Sequence, residues 1–400
     1  MKQNWTYKRL GEICDVINGL WTGKKEPFVN VAVIRNTNFS KDCKLKLDNV
    51  AYIEVEAKQF ASRKLQYGDI IIEKSGGSEK QPVGRPILFD ITEGDYSFSN
   101  FTTTLRIKSN NAINPKFLHT CLYAYYLNGA TTKMQSKTTG LHNLDMKAFL
   151  NLPIPLPPLA TQSRIVSELD LPQSIIDKQK AQLKEYDTLA QSIFYDMFGD
   201  PVENEKGWEV KKLGEVCEIT SSKRVYQSEW QTTGIPFYRI SDFTQLIEKG
   251  NVNTELFISE GKYEELKSNG LVPNAGDILI TSRGTLGNCY IVKNNDRFYF
   301  QDGMITWLKP NKELVCPLFI VFLFKSNSFR KQIDQNQSGT TVAYLSISML
   351  KKFDFPIPPL SLQQSFAAKI ESIEKQKAAI SKSIAETEKL FEYTMDKYFG

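Results

Sequence analysis

Two kinds of hydrophobic pattern alternate along this chain. The first consists of short runs rich in β-branched and aromatic residues between glycine, asparagine and lysine stretches, which is typical of strands joined by loops. In the first half these runs are Val29 to Ile34, Gly68 to Glu73, Arg85 to Phe89 and Thr102 to Ile107. Their counterparts in the second half are Ile235 to Ile240, Gly276 to Thr281, Cys289 to Lys293 and Met304 to Leu308. Helices are predicted among them at Pro115 to Leu127 and Pro317 to Phe324, because proline suits a first helical turn.

The second pattern closes each half and has the alternating three-four spacing of a coiled-coil seam. Its main positions are Ile165, Leu169, Ile176, Leu183 and Ile193 in the first half, and Phe366, Ile370, Ile373, Ile380, Ile384 and Phe391 in the second. Two helices with such seams are too exposed to stand alone, so we expect them to pair as an antiparallel coiled coil. Pro172 predicts a kink or a short interruption near Leu171. Lys377 stands at the position equivalent to Ile176, and a single polar seam residue often fixes register.

The alternation reflects an internal repeat. The segment KRLGEICDVI at Lys8 to Ile17 returns as KKLGEVCEIT at Lys211 to Thr220, and PLPPLATQ at Pro155 to Gln162 returns as PIPPLSLQ at Pro356 to Gln363. Offsets of 203 and 201 residues in a chain of 400 indicate two tandem copies. Duplex nucleic acid is the commonest object with the rough two-fold symmetry that such a molecule would fit.

The predicted fold is therefore α+β with a pseudo-two-fold internal repeat, in which two mixed α/β domains alternate with two long helices. The predicted segments are a first α/β domain at 1–152, a helical spacer at 153–200, a second α/β domain at 201–354 and a second spacer at 355–400.

Composition narrows the class of protein. With 41% hydrophobic and 24% charged residues, the chain has the composition of an ordinary globular protein rather than a disordered one. No apolar run approaches the roughly 18 residues of a membrane span, and Met1 to Leu10 lacks a signal-peptide core. We therefore expect no membrane partner and a cytoplasmic location. The net charge of +5 permits binding to a polyanion without requiring it.

The cysteine pattern argues against a metal site or a disulfide framework. Six cysteines are scattered without a CxxC pair, and the chain has only two histidines. Cys14 and Cys217 occupy equivalent places in the repeat between apolar neighbours, which indicates small core side chains rather than reactive thiols.

Catalytic constellations are missing from the sequence. An adenine methyltransferase needs an Asn/Asp-Pro-Pro-aromatic segment, but Leu156 and Ile357 precede the two Pro-Pro pairs, and no P-loop for ATP is present. Asp69, Glu73 and Lys74 come closest to a nuclease cluster. Glu73 and Lys74 are adjacent and would point oppositely, so a surface strand edge explains this group better. We expect a chain without catalytic residues.

Polar loops supply the candidate contacts to DNA. Glycine lets the backbone approach a phosphate, Ser and Thr donate to phosphate oxygens, and Arg or Gln can reach base edges. After the equivalent strand of each half, these candidates are Lys74, Ser75, Gly76, Gly77, Lys80 and Gln81, and then Thr281, Ser282, Arg283, Gly284, Thr285 and Asn288. The same residues also favour a simple hairpin turn, which is the alternative interpretation.

Two further matched pairs of segments carry candidates. The first pair, for which solvated loops are the alternative, contains Lys133, Lys137, Thr138 and Thr139 in one half and Gln337, Ser338, Thr340 and Thr341 in the other. The second and weaker pair contains Lys24, near Trp21, and Lys223 with Arg224.

At this point the residues resemble a known family. Each half opens with W-x-x-x-x-LG, at Trp5 to Gly11 and Trp208 to Gly214, and each long helix follows PxPPL and carries a glutamine, Gln162 or Gln363. This combination resembles the specificity subunit of type I restriction-modification systems over essentially the whole chain. Further positions that match the family are Arg35, Arg239, His142 and Asn143. The second half departs from the pattern with Tyr344 at the place of Asn143.

The resemblance implies a function. Each variable domain would be a target recognition domain that reads one half of a split, asymmetric DNA sequence, and the helices would set the unread gap. The helices would also hold two methylation subunits and, in the complete nuclease, the restriction subunits. S-adenosylmethionine, ATP and magnesium would be bound by those partners and not by this chain.

Two alternatives stay open. One is the DNA-recognition subunit of a related two-part methyltransferase-nuclease, which neighbouring genes or subunits would distinguish. The other is a structural adaptor whose coiled coil joins proteins and whose α/β domains bind peptides. Only a DNA-binding chain should show steep salt dependence of binding.

Overall fold

The computed structural model describes residues 5–79, 81–108, 113–138, 141–335 and 344–400. The chain divides into two compact units. Unit 1 comprises Met1–Lys178 and Ser383–Gly400, and unit 2 comprises Gln179–Lys382. Each unit thus contains one α/β region together with parts of both long helices.

Unit 1 is built mainly from short strands. Its elements are β1 (Thr6–Arg9), α1 (Leu10–Ile13), β2 (Cys14–Asn18), β3 (Phe28–Ile34), β4 (Ala51–Glu56), α2 (Ala57–Ala61), β5 (Ile70–Glu73), β6 (Ser75–Gly77), β7 (Pro86–Leu88), β8 (Tyr96–Phe98), β9 (Thr102–Ile107), α3 (Pro115–Leu127), β10 (Gln135–Thr138), β11 (Leu141–Leu144), α4 (Met146–Leu150) and β12 (Pro153–Leu156). One antiparallel sheet has the order β2-β9-β5-β7, and a second has the order β4-β3-β8. The strands β1 and β12 form a ribbon, and β10, β11 and β6 form a third small sheet.

Unit 2 repeats this arrangement with more helix. Its elements are β13 (Glu209–Lys212), α6 (Leu213–Val216), β14 (Cys217–Ser221), β15 (Ile235–Tyr238), α7 (Ile240–Lys249), β16 (Phe257–Ile258), α8 (Glu260–Ser268), β17 (Ile278–Thr281), β18 (Cys289–Ile291), β19 (Tyr299–Phe300), β20 (Ile305–Pro310), α9 (Pro317–Lys325), α10 (Asn327–Gln335), α11 (Ile347–Lys352) and β21 (Asp354–Ile357). The long helices are α5 (Leu159–Phe198) and α12 (Leu360–Phe399), and both cross the division between units. The sheet orders β14-β20-β17-β18 and β16-β15-β19 match those of unit 1 strand for strand.

The central strands β5 and β17 are buried on both faces, which accounts for the apolar runs that predict them. Ile70, Ile71 and Ile72 are fully buried, as are the three corresponding residues of β17. Because side chains alternate along a strand, Ile70 and Ile72 join the core beside α3, whereas Ile71 joins a second core beside β3. An uninterrupted apolar run is expected where both faces of a strand are covered.

The acidic residues around β5 correct one prediction. Asp69 and Glu73 do not lie on a surface edge, because β5 is an inner strand and both carboxylates are buried. Arg106 contacts Asp69 through Nε at 2.9 Å and Nη2 at 2.7 Å. Arg85 contacts Glu73 through Nε at 2.6 Å and Nη2 at 3.1 Å. Burial of these charges is tolerated because each has a bidentate guanidinium partner.

The predicted helices α3 and α9 are confirmed, and a buried glutamine contacts the start of each. Gln162 Oε1 accepts from Asn114 N at 2.8 Å, and Gln162 Nε2 donates to Pro157 O at 2.8 Å. Gln363 repeats this with Cys316 N and Pro358 O, each at 2.8 Å. Both glutamines are 0% exposed. Each amide therefore fastens the proline segment before a long helix to the helix of its own α/β region.

The long helices contact each other within each unit. In unit 2, Lys377 Nζ donates to Asp187 Oδ1 at 2.7 Å, and the rings of Phe366 and Phe198 lie 5.3 Å apart. Residue numbers rise along one helix as they fall along the other, so these segments are antiparallel. In unit 1, the Tyr398 hydroxyl donates to Glu168 Oε2 at 2.7 Å.

Pro172 does not interrupt α5, so of the kink or short interruption expected near Leu171, the interruption is wrong. The helix assignment is continuous through Pro172. Leu169 and Ile176 on either side are both buried. Their packing offsets the hydrogen bond that proline removes. The other predicted seam residues are buried or partly buried at every position, including Leu183, Ile193, Ile380 and Phe391.

Candidate nucleic-acid interface

The segment after β5 in unit 1 is held by main-chain hydrogen bonds. Lys74 N and Ser75 N both donate to Phe101 O at 3.0 Å, and Leu144 N donates to Lys74 O at 2.8 Å. These bonds bring two candidate segments together although they are far apart in the sequence. We call the surface formed by residues 74–77, His142 and Asn143 surface 1.

The side chains of surface 1 form a polar network. Ser75 Oγ donates to Asn143 Oδ1 at 2.6 Å, and His142 Nδ1 lies 2.8 Å from Gln135 Oε1. Asn36, which the sequence did not single out, donates from Nδ2 to Ser75 O at 2.7 Å. Gly76 is required here because its φ is +102° and an added Cβ would lie 3.1 Å from Asn36 Nδ2. Serine and amide side chains of this kind can contact phosphates and base edges.

The segment after β17 in unit 2 has the same main-chain connections. Ser282 N donates to Met304 O at 2.8 Å, and Leu345 N donates to Ser282 O at 3.0 Å. Ser282 therefore corresponds to Lys74, Arg283 to Ser75 and Tyr344 to Asn143. We call the surface formed by residues 283–285 and Tyr344 surface 2. Its guanidinium carbon, Arg283 Cζ, lies 4.9 Å from the centre of the Tyr344 ring, a cation–π contact.

Thr281 and Ser282 leave the set of candidate contacts. Each is 1% exposed. Thr281 Oγ1 donates to Thr285 O and accepts from Asn288 N, and Ser282 Oγ lies 2.5 Å from Thr306 Oγ1. Their hydroxyls are used to hold the loop, so they are not available to a phosphate in this conformation.

Asn288 also has a partner inside unit 2. Arg330 donates from Nη2 to Asn288 Oδ1 at 2.9 Å and from Nη1 to Leu286 O at 3.1 Å. Arg330 lies in helix α10, so the stretch that leads to the candidates Gln337 and Ser338 of the first matched pair is helical up to Gln335. In unit 1 the matching segment is a 3-10 turn that carries exposed Lys133 and continues into β10.

The remaining candidates lie beside these surfaces or apart from them. Arg35 and Arg239 follow β3 and β15 and use their main-chain N–H in the same way, donating to Asn38 Oδ1 at 2.9 Å and Asp242 Oδ2 at 3.0 Å. Arg224 Nε lies 3.0 Å from Asp302 Oδ2. Lys24, Lys223 and Gly284 are exposed, whereas Gly77 is buried and Gln81 is partly buried.

Some predicted contacts lie outside the described residues. These are Lys80, Thr139, Gln337, Ser338, Thr340 and Thr341, together with the side chains of Lys137 and Thr138.

A cleft of about 540 Å³ adjoins surface 1. Trp21 and Phe101 line it and are 65% and 45% exposed. Surface 1 meets the cleft at Gly76. A Cβ added to Gly76 would lie 3.1 Å from Asn36 Nδ2 and 3.8 Å from Phe101 Cδ1, and both of these residues line the cleft. Phe101 precedes β9 and stands outside every predicted motif, so no sequence pattern singled it out.

The two equivalent cysteines, Cys14 and Cys217, are buried core residues. Burial raises the pKa of Cys14 and of Cys217 to about 12, which favours the protonated thiol. Across the described part of the chain, no group of three or more His, Cys, Asp or Glu is placed to hold a metal ion. Within the same ranges, no helix has both the length and the apolar character needed to cross a membrane.

Comparison with curated proteins gives consistent relatives. A putative type I restriction enzyme specificity subunit from Haemophilus influenzae is 27% identical over 60% of this chain and 62% of its own length. A putative type I specificity subunit from Methanocaldococcus jannaschii is 22% identical over 93% of this chain and 87% of its own length. The EcoKI specificity subunit from Escherichia coli K12 is 24% identical over 96% of this chain and 85% of its own length. The alignment spans 62% of the Haemophilus influenzae relative and 63% of the MjaVIII specificity subunit from Methanocaldococcus jannaschii, less than two thirds of their length in both cases.

Solved structures share the fold. The type I restriction-modification S subunit from M. genitalium has a TM-score of 0.57 at 14% identity and covers all of this chain and 97% of its own. A chain from a structural study of assembly and conformational transition in the type I R-M system has a TM-score of 0.57 at 21% identity, with 99% and 97% coverage. The sequence profile described as the type I restriction modification DNA specificity domain matches residues 2–185 and again residues 205–389. This chain therefore belongs to the family of type I restriction modification DNA specificity domains, of which it carries two copies.

Proposed function

We propose that this chain is the DNA specificity subunit of a type I restriction-modification complex, with surface 1 and surface 2 each reading one half of a split, asymmetric DNA target. The observation that supports this most directly is the pair Ser75–Asn143 in unit 1 and Arg283–Tyr344 in unit 2. The same main-chain hydrogen bonds hold both pairs in place, but the functional groups of the two pairs differ. Two similar scaffolds with different polar ends are suited to two different half-sequences.

The two surfaces differ in what they can recognise. Arg283 has a guanidinium that can contact guanine O6 and N7 in a bidentate manner, whereas Asn143 and Ser75 can exchange hydrogen bonds with other edges. Exposed Lys24, Lys133 and Lys223 would contribute phosphate contacts, which add affinity without sequence information. The two surfaces would therefore read bases directly, and the lysines would position the chain on the DNA backbone.

The long helices form the second part of the proposal. We infer that α5 and α12 pair as an antiparallel coiled coil that fixes the gap between the half-sequences and binds two methylation subunits and the restriction subunits. The contact of Lys377 with Asp187 supports a defined register, since it joins a polar seam position of α12 to the other helix. S-adenosylmethionine, ATP and magnesium would be bound by the partner subunits. The complex would work in the cytoplasm.

A binding assay with the methylation partner tests the DNA-reading role. Specific binding to the target duplex should fall steeply as salt rises, because phosphate contacts release counterions. Methylation mapping of the host genome by long-read sequencing would supply the target. The purified chain without its partner should not methylate adenine. Binding that is insensitive to salt and to DNA sequence would favour the peptide-binding adaptor instead.

An insertion tests the helices as a ruler. One heptad added after Leu183 and another after Ile384 keeps the seam and lengthens each helix by roughly 10 Å. At about 3.4 Å per base pair, the unread gap should grow by two or three base pairs while both half-sequences stay the same. Methylation mapping measures the gap. An unchanged gap in a variant that still methylates would leave the helices only a partner-binding role.

A further inference from the structure

The cleft beside surface 1 has the features of a binding site for a flat heteroaromatic group. Trp21 and Phe101 present two exposed aromatic side chains at a cavity whose volume lies within the range of small-molecule sites. Large aromatic side chains are seldom left exposed together at a cavity unless they contact something. Buried Val33 and Val55 add an apolar lining.

Three polar residues of the same cleft carry buried atoms without a partner. Within the described residues, Arg35 Nε, Asn36 Oδ1 and Ser99 Oγ are shielded from solvent and make no hydrogen bond. These atoms comprise a donor, an acceptor and a hydroxyl that can be either. Unsatisfied buried polar atoms are rare and costly, so a ligand with donors and acceptors on its edge would offset that cost.

Unit 2 fills the corresponding positions with its own side chains. Phe237 stands two residues before Arg239 as Val33 stands two residues before Arg35, and its ring stacks with Tyr299 at 6.4 Å. Arg224 takes the place of Trp21 in the repeat and pairs with Asp302. Trp21 thus has no aromatic counterpart in unit 2.

We propose that the cleft of unit 1 receives one unstacked nucleobase of the half-sequence that surface 1 reads. The proposal rests on the DNA-reading function. Trp21 and Phe101 would stack on the base, because every nucleobase has a π-face, and Arg35, Asn36 and Ser99 would turn their now buried polar atoms towards its edge. Surface 1 lies next to the cleft through Gly76 and Asn36, so a base displaced from the stack at that surface has a short path.

The first test measures affinity of the complex with the methylation partner for its target duplex. Trp21→Ala and Phe101→Ala should each weaken binding by roughly 5- to 150-fold, the range that base–aromatic stacking energies imply. Tyr52→Ala is the matched control, since Tyr52 is an exposed aromatic side chain on neighbouring β4 that does not line the cleft. Its affinity should equal that of the wild type. Thermal unfolding of all three variants checks that they fold.

A second measurement identifies the base. Single mismatches and single abasic sites are placed in turn at each position of the half-sequence that residues 21–140 specify. At one position a mismatch should tighten wild-type binding about tenfold, because unpairing then costs less. An abasic site at that same position should remove the difference between wild type and Trp21→Ala.

The outcomes separate the two proposals. If the complex binds and methylates its target while Trp21→Ala and Phe101→Ala behave as the wild type, the base-binding cleft is wrong and the specificity function stands. Loss of the methylation partner from Trp21→Ala without DNA would assign the cleft to a protein contact and would also overturn it. A wild-type complex without sequence preference would overturn the specificity function itself.

Discussion

The end of β5 in unit 1 and the end of β17 in unit 2 share two main-chain hydrogen bonds but carry different side chains. In unit 1, Leu144 N reaches Lys74 O at 2.8 Å and the side chains above it are Ser75 and Asn143. In unit 2, Leu345 N reaches Ser282 O at 3.0 Å and the side chains are Arg283 and Tyr344. Main-chain bonds do not depend on side-chain identity. The comparison therefore teaches that a fixed backbone can present exchangeable chemistry at one place.

The two units also differ around this shared backbone. Beside the cleft of unit 1 stands Trp21, whereas its counterpart in unit 2, Arg224, pairs with Asp302. The four-stranded sheet and the buried glutamine are common to both units.

Exchanging a whole surface should have the largest effect. Replacing residues 21–140 with the same region of a relative should change one half of the methylated sequence completely and leave the other half intact. The reason is that the residues of surface 1 except His142 and Asn143, and the residues of the cleft except Leu20, lie within this stretch. Methylation mapping by long-read sequencing measures both halves. A variant in which both halves change together would contradict a division of labour between the units.

Removing a buried glutamine should break the shared scaffold. Gln363→Ala should lower the free energy of unfolding by about 2–4 kcal/mol, because the main-chain groups of Cys316 and Pro358 lose their partner in a buried place. Gln162→Ala should cost a similar amount, because Gln162 makes the corresponding bonds to Asn114 N and Pro157 O. Urea unfolding measures both variants. Gln173→Ala, which removes an exposed contact to Asp177, is the control and should change little.

Replacing Arg283 tests what surface 2 recognises and so sharpens the comparison with surface 1. Arg283→Ala should weaken specific binding by about 1–3 kcal/mol and relax the preference at one base pair if the side chain contacts guanine. A phosphate contact would instead lower the affinity for all sequences alike. Competition binding with matched and mismatched duplexes distinguishes these results.

The control for this experiment is Arg297→Ala. Arg297 also stacks on a tyrosine of unit 2, Tyr263 at 5.4 Å, but it is not part of surface 2. The control variant should bind as the wild type does. Equal and unchanged affinities for Arg283→Ala would remove Arg283 from the DNA contact.

A smaller effect is expected where the long helices meet in unit 1. The hydrogen bond from Tyr398 and the charge of Lys397 lower the pKa of Glu168 in the folded state. The contribution of Glu168 to stability is therefore present above the unfolded pKa of about 4.3 and is lost as the pH falls through the folded pKa. Glu168→Gln should flatten the pH dependence of unfolding in that acidic range by less than about 1 kcal/mol, because the pair is partly exposed.

Thermal unfolding at several pH values between neutral and acidic conditions measures this effect. Glu371→Gln, at an exposed position of helix α12, serves as the control and should retain the wild-type pH dependence. A Glu168→Gln profile that is identical to the wild type would show that the Tyr398 contact does not contribute to stability.

The sequence by itself determined the repeat, the central strands and the long helices. These features are written in local patterns: the uninterrupted apolar runs of β5 and β17, the prolines that open α3 and α9, and the three-four spacing that defines α5 and α12. Each pattern acts over a few residues, so backbone periodicity and burial suffice to predict it. The family followed from motifs that recur in both halves, and the sequence profile of the family confirms it.

Only the tertiary structure decided which candidate residues are exposed and which contact each other. Ser75 and Asn143 are 68 residues apart, and their contact depends on β6 pairing with β11. Thr281 and Asp69 are polar residues of the kind found in loops or at strand edges, yet both are buried. Their burial is tolerated because they form hydrogen bonds with Asn288 and Arg106. Pro172 ends no helix because the residues on either side are packed. Long-range pairing and desolvation are properties of the assembled fold, and no local pattern of residues encodes them.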